Sequence, residues 1–268
     1  MNRALILATL LAALLMAASA AAQSSHRAEY EKEPNGPHGE CPVNWLRIDS
    51  GLDYRAIRCL GDRDDLDVHV VRIDTGAWNL SAAVGKPRKA RDVAAEHRAP
   101  FAINANFFGS NREPLGLVVR EGRAVNPLRK TSWQSVFLVK EDGGPRIILP
   151  DSWPSYRKRT ATAVQAGPRL VVKGKRADIK NTYSAARCGV CIRSSGELLF
   201  FATPQDRKLS MFEIGRIVRR SEEDGGLACW DAMLFDGGHS VNFHLDGDDK
   251  RVDVSGDPVP VFVYATRR

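Results

Sequence analysis

The chain is built from short apolar runs that stop abruptly. Phe101 to Ile103, Gly116 to Val119, Ser135 to Val139, Arg146 to Leu149, Leu170 to Val172 and Ala232 to Phe235 hold three to five residues each, and glycine, proline or polar side chains follow. Runs this short, bounded by turn residues, read as strands. Val68 and Val70, then Val71 and Ile73, keep a strand alternation with a one-residue slip, which reads as a bulge. Firm helical periodicity is confined to "LSMFEIGRIVRR". There Met211, Ile214, Ile217 and Val218 share one stripe, and Ser210 with Glu213 spells a capping box. "ARDVAAEHRA" reads as a shorter helix with Asp92 near its start, where the helix dipole favours an anion. These elements predict an α+β fold: a single domain with a large twisted mixed β-sheet and a few covering helices.

The first residues have a different character. Arg3 precedes an apolar run to about Ala17 and then small residues, Ala-Ser-Ala at 18 to 20 and Ala-Ala-Ala at 20 to 22. The run is short for a membrane span, and the pattern is that of a cleaved export signal. Residues 1–22 are therefore expected to be a signal peptide, 23–45 a flexible lead-in, and 46–268 the folded domain of a secreted or periplasmic protein. No later segment has the length or hydropathy for stable membrane insertion.

Export permits disulfides among the five cysteines. Sequence leaves their connectivity open. The pairs favoured are Cys41 with Cys59 and Cys191 with Cys229, with Cys188 the odd thiol. Cys188 and Cys191 spell C-G-V-C, but the surrounding "RCGVCIRSSGELLFF" reads as strand, turn and strand. No helix N-terminus is there to lower a thiol pKa for redox work.

A net charge of +7 suits anionic partners. The basic residues are spread along the chain, with no aromatic-basic platform or recognition helix, so nucleic acid is not expected. Phosphate-bearing glycans or lipid head groups fit better for an exported basic protein.

"MLFDGGHSVNF" carries the main candidate site. A strand holds its terminal Asp236 rigidly, as a general base or nucleophile requires. Gly237 and Gly238, with His239 and Ser240, form a loop whose N–H groups are expected to make an anion nest. The competing reading is a plain Asp-Gly turn. Asn104 and Asn106 end another apolar run, on one face if the strand continues, and each amide offers a donor and an acceptor. Arg187 precedes a strand and offers a planar fork for phosphate. His69, His97, His239 and His244 lack zinc-site spacing, so no cofactor is expected. A divalent cation held by Asp236 and the asparagines stays open. No G-x-S-x-G, P-loop or G-x-G-x-x-G stands at a strand-helix junction.

"AINANFFGSNREPLGLVVREGRAVNPL", "AVQAGPRLVV", "RCGVCIRSSGELLFFAT", "ACWDAMLFDGGHS" and "DPVPVFVYA" together resemble the phosphodiester glycosidase domain family, in order and spacing, from about Leu52 to Ala265. The resemblance implies an exported glycoside hydrolase that cleaves the glycosidic bond of a sugar-1-phosphodiester. It maps Asn104, Arg187, Asp236, Gly237, Gly238 and Ser240 onto the family's motif positions. Asp236, Asn104 and Arg187 are then expected to be catalytic, and Gly237, Gly238, His239 and Ser240, with Asn106 from the strand-end reading above, to bind substrate. It also supports the Cys191 to Cys229 pair. His239 departs from a loop that usually reads Asp-Gly-Gly-Gly-Ser, and Ala105 from an Asn-Gly motif. A second carboxylate is sought among Asp74, Glu113 and Asp231. Alternatives kept open are a phosphodiesterase at the same site and a non-catalytic cell-envelope glycan-binding protein.

Overall fold

The computed structural model describes residues 43–60, 65–179 and 183–268. The expected signal peptide, most of the lead-in and Cys41 lie outside the described residues. The strands are β1 (Leu46–Asp49), β2 (Leu52–Ile57), β3 (Val68–Ile73), β4 (Trp78–Arg88), β5 (Phe101–Asn104) and β6 (Val118–Arg120). They continue as β7 (Arg123–Asn126), β8 (Ser135–Lys140), β9 (Pro145–Ile148), β10 (Thr160–Ala166), β11 (Arg169–Val172) and β12 (Lys175–Arg176). The last are β13 (Cys188–Arg193), β14 (Leu198–Ala202), β15 (Cys229–Leu234), β16 (Asn242–Gly247), β17 (Lys250–Ser255) and β18 (Val259–Arg267).

They form three sheets where one was expected: β1-β2-β3-β14-β13-β15-β11-β12, β7-β6-β10-β8-β9 and β17-β16-β5-β18-β4. Their pairings are antiparallel, not mixed. The reason is local. Tight turns join β1 to β2, β6 to β7, β13 to β14 and β16 to β17, whereas a parallel pair needs a crossover of about a dozen residues, usually helical. Only α1 (Ala90–His97) and α2 (Met211–Arg219) exceed a single helical turn among the described residues.

β3 explains how the sheets stack. Its register with β2 and β14 runs unbroken, so the apparent slip is no bulge. Val71 and Ile73 pack into a central core, and Val68 and Val70 into a second core beneath α2. The strand is buried on both faces, which removes the polar alternation. The central core joins Phe200 of the first sheet, Phe137 of the second, and Phe101 and Phe243 of the third. α2 covers the first sheet with Ile214, Ile217 and Val218. Its capping box is present: Glu213 N–H donates to Ser210 Oγ (3.2 Å), and Ser210 N–H to Glu213 Oε2 (2.8 Å). α1 covers the third sheet with Val93 and Ala94, and Lys89 N–H donates to Asp92 Oδ2 at its start.

Cys191 and Cys229 form a disulfide between β13 and β15, with Cα atoms 5.5 Å apart. Cys59 is disulfide-bonded; Cys41, its expected partner, lies outside the described residues. Cys188 is a buried free thiol. An odd separation along a strand puts Cys188 in the central core and Cys191 in the second, so C-G-V-C is not a redox pair. No helix among the described residues is long and apolar enough to cross a membrane.

Candidate active site

The chain leaving β15 crosses from one sheet to another at Asp236. Phe235 N–H donates to Cys188 O on β13 (2.9 Å), and Asp236 N–H to Ala105 O just beyond β5 (2.9 Å). The Asp236 carbonyl accepts from Asn104 Nδ2 (2.7 Å) and faces Cys188 Sγ (3.2 Å). Asn104 Oδ1 in turn accepts from Asn242 N–H (2.9 Å) and lies 3.3 Å from Cys188 Sγ. The junction between the sheets thus fixes the backbone of the acid from both sides.

Burial raises the Asp236 carboxyl from its ordinary value to about 6, against hydrogen bonds with the Ser240 side chain and the Gly237 backbone that pull it down. Those bonds change the reading of the glycines. Gly237 serves the carboxylate; Gly238 N–H donates to Ala186 O (2.8 Å) and Ser240 N–H to Gly237 O (3.3 Å). The expected anion nest is therefore taken up by the protein's own acceptors. Gly238, at φ 61°, supplies the left-handed turn.

Arg187 sits beside this loop, 7% exposed. Its Nε donates to Leu209 O (2.9 Å) and its Nη2 to Tyr183 O (2.5 Å). Nη1 makes no hydrogen bond among the described residues and lies 3.9 Å from where a side chain at Gly237 would begin. Burial pulls the pKa of the guanidinium down, and no carboxylate among the described residues pairs with it. Burial, and after it the charge of Asp236, push the Cys188 thiol well up, which keeps it a neutral S–H.

Asn104, Arg187, Asp236, Gly237, Gly238 and Ser240 thus come together. Asn106 lies near but faces away from this cluster's hydrogen bonding: its Nδ2 donates to Leu117 O (3.1 Å) and Gly116 O (3.4 Å), while its buried Oδ1 has no partner among the described residues. β5 stops at Asn104, so the two amides do not share a strand face. His239 is exposed at the loop tip. Of the sought carboxylates, Asp231 is ion-paired with Arg169 and Asp74 accepts from Gly76 N–H (2.8 Å). Glu113 accepts from Asn111 Nδ2 (2.7 Å) on the exposed loop after β5. Among the described residues, no group of three or more His, Cys, Asp or Glu is placed to hold a metal ion.

Two residues that sequence reasoning passed over belong here. Cys188 touches both Asn104 and Asp236, and its place next to Arg187 was the available signal. Gln205 Nε2 donates to Gly238 O (3.1 Å) and Val241 O (3.2 Å) across the loop, with no sequence signal at all. A surface groove of about 650 Å³ lies at the other end of β16 and is lined by His244, Asp246 and Arg251, apart from this cluster.

A family model for phosphodiester glycosidase matches residues 97–265. The chain belongs to the phosphodiester glycosidase family. The match holds the whole Asp236 cluster and starts later than the resemblance read from sequence, which ran from Leu52. A search of curated proteins finds no match. Among solved structures the fold is similar to a hypothetical protein from Synechocystis, with a TM-score of 0.62 at 15% identity over 87% of this chain. This chain spans 64% of that protein's length. It is also similar to the zebrafish N-acetylglucosamine-1-phosphodiester alpha-N-acetylglucosaminidase catalytic domain auto-inhibited by its pro-peptide, with a TM-score of 0.60 at 13% identity over 88% of this chain and 87% of the other. At such identities these likenesses concern the family's fold.

Proposed function

We propose that the protein is an exported hydrolase that cleaves the glycosidic bond of a sugar-1-phosphodiester. The observation that carries this reading is a rigidly held carboxylate beside a buried guanidinium that lacks a carboxylate partner among the described residues. Asp236 and Arg187 offer a base and a cation within one cluster. Membership of the phosphodiester glycosidase family and the disulfides of an exported protein agree with it.

In this reaction the bond from the anomeric carbon to the phosphate oxygen breaks. Its electron pair leaves on the phosphate, and a water oxygen ends on the sugar. A phosphodiester leaves as a stable monoester anion, so a strong proton donor is not needed; a fixed cation is. Arg187 Nη1 takes that charge. Asp236, ionised above about pH 6, takes the proton from water or attacks the anomeric carbon. Asn104 and Cys188 are positioning residues: both act on the backbone of Asp236.

The test is hydrolysis of a panel of sugar-1-phosphodiesters in oxygen-18 water. Label in the sugar is expected; label in the phosphate assigns cleavage of the phosphorus to oxygen bond and overturns the glycosidase reading. Asp236→Asn is expected to lower kcat by about a thousandfold or more, and Arg187→Lys to lower kcat/KM by about a hundredfold.

A further inference from the structure

The loop between β7 and β8 carries an aromatic that folding does not explain. Trp133 is 52% exposed, yet its ring packs edge-on against Phe107, with centroids 5.3 Å apart and planes at 64°. Phe107 itself rests on the central core. The loop beneath Trp133 is held unusually firmly. Gln165, 0% exposed, accepts from Arg129 N–H (3.0 Å) and Leu117 N–H (2.9 Å) and donates to Arg129 O (2.6 Å) and Gln134 Oε1 (3.2 Å). A buried amide that satisfies four partners rigidifies whatever it grips. The exposed indole is thus a preorganised feature of the surface.

Two short stretches of chain tie it to Asp236. Phe107 follows Ala105, whose carbonyl accepts Asp236 N–H, and two residues reach at most about 7 Å. On the other side, a Cβ at Gly167 would stand 2.8 Å from Trp133 O, and the next residue, Pro168, accepts Leu234 N–H through its carbonyl two residues before Asp236. Arg129 and Lys130 on the same loop are exposed and pair with no acid among the described residues.

We propose that Trp133, braced by Phe107, is the platform on which the sugar ring of the substrate lies beside Asp236, a specificity-determining contact that rests on the hydrolase reading above. A pyranose presents C–H groups on its face and hydroxyls at its edge. The face suits an indole, and the edge is left to water and polar groups. A cationic loop carrying the platform suits a sugar whose anomeric oxygen bears phosphate.

The probe is N-acetylglucosamine 1-(methyl phosphate), titrated into Asp236→Asn protein while tryptophan emission is followed. A saturable change is expected that vanishes in Asp236→Asn/Trp133→Phe. In the protein with Asp236 intact, Trp133→Ala is expected to raise KM about tenfold with kcat little changed, and Trp133→Phe to recover most of the loss. Cleavage with an unaltered KM in Trp133→Ala overturns the platform and leaves the hydrolase standing. Emission changes without cleavage in the unmodified protein keep the platform and overturn the hydrolase. Absence of both overturns the platform, as does an emission change that survives in the Phe variant.

Discussion

Asp236, once ionised, destabilises the fold that holds it. Its pKa in the folded state is about 6 against an ordinary 3.8, because burial disfavours the charge. Between those values the folded chain keeps a proton that the unfolded chain has released, so stability falls as pH rises through that window. At about 1.36 kcal/mol per pKa unit the cost above pH 6 is about 3 kcal/mol. Asp236→Asn should therefore raise the unfolding free energy by up to about 3 kcal/mol at pH 7.5 and by almost nothing at pH 3.5, read from urea titrations at the two values. A gain equal at both pH values would assign the effect to packing instead. The same ionisation places the acid limb of kcat/KM near pH 6: activity should climb through that value and then level. Sequence made the acid and its glycines legible as a candidate, although a strand ending in Asp-Gly also fits a plain turn, and it was the family's motif that singled them out. It misjudged the glycines' N–H groups, whose partners, Ala186 O and the Asp236 carboxylate, are set by the fold.

β13 and β15 transmit that geometry, and two features keep them together. Gly189 on β13 faces Phe201 and Met233, and a Cβ there would stand 2.7 Å from Phe201 Cζ and closer still to Met233 O. Gly189→Ala is expected to cost about 1–3 kcal/mol and to lower activity as well, since β15 leads directly to Asp236. Normal activity in a folded Gly189→Ala protein would uncouple the strand spacing from the site. The Cys191 to Cys229 bridge closes a sequence separation of 38 residues between the same strands. Cys191→Ala/Cys229→Ala is expected to lower unfolding free energy by about 3–4 kcal/mol. At this scale the helices were the most legible elements: the Ser210 and Glu213 box and the α2 stripe are local signals, and both formed. β3 was misread because its two buried faces imitate a slipped register.

Sheet membership was the part least visible in the chain, since β5 pairs with β16 and β18, and β3 with β14, across long stretches of sequence. Gln165 and Trp133 went unnoticed for the same reason: their meaning comes from partners that only the folded chain supplies. The three sheets nevertheless meet in one place. Phe200 of the first sheet packs against Phe137 of the second (5.7 Å), Phe101 of the third (5.3 Å) and Phe235 beside the acid (6.3 Å). A ring shared in this way couples the sheets thermodynamically, because none can release its strands without exposing the aromatic surface of the others. Phe200→Ala is therefore expected to cost about 3–5 kcal/mol while unfolding stays a single transition. Far-ultraviolet dichroism and tryptophan emission should shift to lower urea together, with an unchanged slope. Sheets that fold independently would instead part company in the variant, and the two probes would then show separate midpoints. Coincidence of the two probes is what a common core requires, and it would explain why the acid, carried between two sheets, keeps its place at a cost to stability.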